Sequence, residues 1–73
     1  MFRVNQNEWI NPRLIGVEHV RICECAVCVK DSGVKDCCYV NISTKDGETY
    51  SSEYFDTFVD AENFVQSLVD MLN

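Results

Sequence analysis

The sequence is short of basic charge, of glycine and proline, and of long apolar runs. Six Lys and Arg stand against twelve Asp and Glu, for a net charge of −6. Nucleic-acid binding draws most of its affinity from bases set against phosphates, so a DNA- or RNA-binding role is disfavoured. No apolar run approaches the roughly 20 residues of a membrane span, and the opening "MFRVNQNEW" lacks the apolar stretch of a secretory signal. A cytoplasmic location is therefore expected. Three isolated glycines, Gly16, Gly33 and Gly47, form no phosphate-cradling loop. The single histidine, His19, would be the base of any Cys-His nucleophile, with Cys23, Cys25 or Cys28, but no third orienting residue is evident. A chain this small also has little room for a pocket of about 300 Å³. The expectation is that the protein is not an enzyme.

The charge that is present is unevenly placed. Up to Cys38, Glu8, Glu18, Glu24, Asp31 and Asp36 balance Arg3, Arg13, Arg21, Lys30 and Lys35. Beyond it, Asp46, Glu48, Glu53, Asp56, Asp60, Glu62 and Asp70 face Lys45 alone. An acidic second half serves solubility, or meets a basic patch on another protein. The 73 residues make one domain. A chain of that length buries only about 60% of its unfolded surface, so its core wants a staple or a partner.

Strand signals fill residues 2–55. "MFRV" and "EWI" flank the turn residues "NQN" and read as a hairpin. Asn11-Pro12 stops the second strand. In "LIGVEHVRI", Ile15 and Val17 share one parity while Val20 and Ile22 share the other, so a bulge near Glu18-His19 is expected. "CAVCV" and "CCYVNIST" form a hairpin turning at Ser32-Gly33, and Asp46-Gly47 leads into "TYSSEYF". Ala61, Phe64, Val65, Leu68, Val69 and Leu72 then draw one apolar stripe at the helical period, giving a helix over about 58–72 capped at Thr57 or Asp60. The expected fold is α+β: a small antiparallel β-sheet of four to five strands packed against one C-terminal α-helix, as a single domain over 1–73. One helix covers one sheet face. The other face is left for a partner or a second copy, with Trp9, Tyr39, Tyr50 and Tyr54 as candidates to lie on it.

The stretch "EWINPRLIGVE" resembles the small flagellar FlbD family in its aromatic-aliphatic-Asn-Pro motif and the aliphatic pair and Val-Glu that follow. Here these are Trp9, Ile10, Asn11, Pro12, Leu14, Ile15, Val17 and Glu18. Residues 38–73 are similar to the family's later pattern of strand, Gly-containing turn, Tyr-bearing strand and amphipathic helix, with Asp46-Gly47 and Tyr50 in the matching places. Residues 23–37 look like an insertion. The resemblance implies this fold and no catalytic residues. Comparable small α+β folds occur in phage proteins that neutralise host defences.

Five cysteines in "CECAVCVKDSGVKDCC" admit three readings. A disulfide framework is disfavoured by the odd count, by a reducing cytosol, and because Cys37 and Cys38 cannot both face one partner across a strand. Zinc would use Cys25, Cys28, Cys37 and Cys38, with Cys23 or His19 as substitutes, because structural zinc takes four thiolates or imidazoles, often as two close pairs. Adjacent strand residues face opposite ways, however, so that site needs a kink. The favoured reading is packing, with Cys25 and Cys38 lining the core as small apolar side chains.

The function these features favour is a non-enzymatic accessory protein that binds and inhibits or modulates a host protein, as a homo-oligomer. Its candidate partner surface is Trp9, Arg13, Arg21, Tyr39, Tyr50 and Tyr54. The alternatives are a zinc-stabilised interaction module and a sponge for a signalling nucleotide at a subunit interface. In the sponge, Arg3, Arg13, Arg21, Lys30 and Lys35 would meet phosphates while Trp9 or a tyrosine stacks the base.

Overall fold

The computed structural model describes residues 1–31 and 33–73, with backbone alone for residues 27–29. The expected turn residue Ser32 lies outside the described residues. Strand β1 (Phe2–Asn5) pairs antiparallel with β2 (Glu8–Ile10), Phe2 opposite Ile10 and Arg3 opposite Trp9. The side chain of Asn5 closes their turn by accepting the Asn7 N–H at 2.9 Å. This hairpin buries Phe2, Val4 and Ile10.

Next comes a single helical turn, α1 (Pro12–Ile15), where Leu14 and Ile15 were expected to be extended. Proline explains it: its fixed φ suits the first helical position, and its missing N–H would have had no helical partner there. The N–H groups of Leu14 and Ile15 both bond to Asn11 C=O. Gly16, at φ +70°, ends the turn in the left-handed conformation.

A second sheet follows, in the order β3 (Val17–Val29), β4 (Gly33–Thr44), β5 (Thr49–Ser51), antiparallel throughout. The expected bulge is present, as the β3–β4 register slips between Val17 and His19. Beyond β5 the chain stays beside β4, with Phe55 and Cys38 exchanging backbone bonds of 2.6 and 2.9 Å. Helix α2 (Phe58–Leu72) then crosses the sheet, and Thr57 Oγ1 caps it by accepting the Asp60 N–H at 3.2 Å.

The strands thus form sheets of two and three rather than one sheet of four to five. Pro12 diverts the chain into α1 before β2 can pair with β3. Toward β5, the Asn5 side chain donates to Ser51 C=O at 2.9 Å. The small sheet joins the rest mainly by packing. Phe2, Val4 and Ile10 share one core with Cys38, Val40, Ile42, Ala61 and Leu68. The Phe64 ring lies against those of Phe2 and Phe55, at 5.1 and 5.4 Å between centroids. The last two stripe residues, Val69 and Leu72, stay more than a third exposed (38% and 37%), because the final turn of α2 meets α1 rather than the sheet. Among the described residues, no helix is long and apolar enough to cross a membrane.

Candidate functional site

Strand alternation sorts β4 into two rows. Cys38, Val40, Ile42 and Thr44 are buried on the helix side, while Cys37, Tyr39, Asn41 and Ser43 look the other way. After the bulge, Val20, Ile22 and Glu24 of β3 oppose the first row, and His19, Arg21, Cys23 and Cys25 oppose the second. Cys25 is therefore not in the core beside Cys38. The parity set by Val20 and Ile22 continues along β3 and turns Cys23 and Cys25 outward, where Cys25 sits opposite Cys37.

That outer face carries a connected set of polar and sulfur groups. The Sγ atoms of Cys25 and Cys37 are 3.1 Å apart. Asn41 donates to Cys23 Sγ at 3.6 Å and accepts from Ser51 Oγ at 2.7 Å. Tyr54, from the segment after β5, meets Tyr39 edge-on at 5.7 Å between ring centroids. Cys37 is only 5% exposed, although it is on the face away from the helix. Its hydrogen bond with Cys25, and then its burial, push its thiol from 9.0 up to about 11. The Tyr39 hydroxyl is likewise pushed up, chiefly by its hydrogen bond to Cys23, and the Cys38 thiol by burial.

Beside the thiol pair lies a cleft of about 430 Å³ lined by Glu24, Cys25, Asp36, Cys37, Cys38 and Asp56. It is acidic on balance. Lys35 Nζ, at 2.8 Å from Asp56 Oδ1, offsets one of the three carboxylates, and that bond pushes the lysine pKa up.

Of the four proposed zinc ligands, Cys25 and Cys37 come together and Cys38 lies on the opposite face of the same strand. The side chain of Cys28 lies outside the described residues. Of the substitutes, Cys23 engages Asn41, and His19 is paired with Ser43 near the other end of β3. Among the described residues, no group of three or more His, Cys, Asp or Glu side chains is arranged to hold a metal ion.

Of the six residues proposed for a partner surface, Arg21, Tyr39 and Tyr54 belong to the outer face. Tyr50 sits on the core side, opposite Ile42, and donates to Glu48 at 2.8 Å. Trp9 is on the small sheet with the Arg3 guanidinium 5.2 Å over its ring. Arg13 grips the end of α2, donating to Met71 C=O and Asn73 C=O at 3.0 Å each. The bases proposed for phosphate binding are thus spread over separate neighbourhoods, with Arg3 at Trp9, Arg13 at the helix end and Lys35 at Asp56. Asn41, Ser51 and Asp56 are not among the candidate site residues read from the sequence. Their roles depend on which strands lie side by side, which no local pattern encodes.

No family profile matches the chain, and neither does any curated protein or solved structure.

Proposed function

We propose that the chain is a non-enzymatic binding module that self-associates and occludes a protein partner through the outer face of the β3-β4-β5 sheet. One observation carries this reading. Ala61, Phe64, Val65 and Leu68 of α2 pack with Cys38, Val40 and Ile42 on one face of the sheet, leaving Arg21, Cys23, Cys25, Tyr39, Asn41 and Tyr54 to face outward. That surface mixes aromatic rings, one arginine and hydrogen-bonding groups, a composition common at the centres of protein interfaces. The motif shared with FlbD-like proteins supports the reading too, since Trp9-Ile10-Asn11-Pro12 ends a hairpin and starts a helical turn and contributes no reactive group.

The test is light scattering after size exclusion, run alongside capture from host lysate. The native chain should elute at a multiple of its 8.4 kDa mass. Arg21→Glu combined with Tyr54→Asp should abolish both self-association and capture. Leu14→Asp, at the 82% exposed position beside the end of α2, should leave both intact. A chain that is monomeric at every concentration, and whose capture ignores the outer-face substitutions, would overturn the reading.

A further inference from the structure

The Cys25–Cys37 pair has a geometry that packing alone does not require. Cys38 directs its N–H and C=O away from β3, to Phe55. The neighbouring Cys37 must then direct its own toward β3, which makes Cys25–Cys37 a hydrogen-bonded antiparallel pair. In such a pair the Cα atoms are about 5.5 Å apart, inside the range in which disulfides form. The two Sγ atoms at 3.1 Å are about 1 Å farther apart than a bond would bring them. Glu24 and Asp36, from the helix-side row, and Asp56 line a cleft that both cysteines also border, so three carboxylates stand within electrostatic reach of the thiols.

The geometry points to Cys25 and Cys37 as a dithiol site that reacts with small disulfides, favouring cationic ones, and closes reversibly to a cross-strand disulfide. Cys25 is the more exposed of the two and attacks first. Its thiolate bonds to one sulfur of the small disulfide, whose S–S bond breaks, and the leaving thiolate takes up a proton. Cys37, 3.1 Å from Cys25 Sγ and so within the 3–3.5 Å range of reacting atoms, then loses its proton and bonds to Cys25 Sγ, expelling the second small thiolate, which takes up a proton. Two protein thiols are oxidised, and one small disulfide is reduced to two thiols. Because the strand ladder holds both β-carbons, the new bond inherits the strain of a fixed backbone, which keeps it reducible. The carboxylates around the cleft attract a cationic disulfide and repel an anionic one, an effect that salt screens.

The test treats the native chain with cystamine, and separately with glutathione disulfide at the same concentration, and maps the bridged peptides by mass spectrometry. The expected product is a Cys25–Cys37 bridge. Titratable thiols should fall by two and recover with dithiothreitol. Cystamine should act severalfold faster than glutathione disulfide at low salt, with the gap narrowing as salt rises. Cys25→Ser should block closure. Cys37→Ala, apolar to suit its burial, should stall at a mixed disulfide on Cys25. A bridge to a different cysteine, or Cys25 and Cys37 both still alkylatable after treatment, would overturn the site. Equal rates for the two oxidants would overturn the cationic preference. The mapping of the native chain decides the site even if a variant fails to fold.

Discussion

Arg13 illustrates how a residue's role can differ from what its neighbours in sequence suggest. It stands next to Pro12 at the start of α1, yet its guanidinium spans the last turn of α2. Two N–H groups satisfy carbonyls that a helix end leaves unpaired, and the positive charge meets the negative end of the helix dipole. α2 has no basic residue of its own in that turn. Arg13→Ala should therefore lower stability by about 1–2 kcal/mol, read as a shift in the urea midpoint. Arg13→Lys should recover only part of it, because an ammonium cannot reproduce the two-pronged geometry. A midpoint unchanged in the alanine variant would show that the contact contributes nothing.

Among the elements, the β3–β4 hairpin is the one that is supported unevenly. Near the bulge, β4 is flanked by β3 and β5 and lies under α2, with Val40 and Ile42 fully buried. From Val34 to Cys37 it pairs with β3 alone, since the third-strand partner ends at the Cys38–Phe55 bridge. A two-stranded ribbon is marginal in water without a third strand or a covering layer. Hydrogen exchange should therefore be fastest, along β4, in the amides of residues 34–36 and slowest in those of residues 40–42. Uniform protection along β4 would mean that something else braces the ribbon, and an associated copy on the outer face would do so.

At the scale of the whole molecule, the shifted ionisations all act in one direction. Cys37, Cys38, Tyr39 and Tyr50 have folded pKa values above their usual ones, each through hydrogen bonding or burial that favours the protonated form. The sign follows from proton linkage. The folded state holds these protons more tightly than the unfolded chain, so the stability they contribute is complete below the unfolded pKa and is lost as pH rises through the folded one. For Cys37 that window runs from 9.0 to about 11. Lys35, also raised by its bond to Asp56, acts in the same sense. The urea midpoint should therefore fall as pH rises from 9.0 toward about 11, and Cys37→Ala should flatten the slope. A midpoint that rises over this interval would contradict the assignment of these groups.

The hydrophobic pattern alone marks the strands of the main hairpin and the long helix α2. Period two in "CCYVNIST" and period 3.6 from Ala61 to Leu68 are properties of neighbouring residues, and the parity slip at Glu18-His19 announces its own bulge. Thiol pairing, the Arg13 contact with the end of α2 and strand partnership are not local in that way. Pro12 as a helix start rather than only a strand stop, the division into two sheets, Arg13 on the end of α2, and Cys25 beside Cys37 instead of beside Cys38 all depend on which segments lie next to one another. The two cysteine rows show the limit most clearly: one residue of slip in β3 moves a thiol from one sheet face to the other, and only the assembled register says which face it reaches.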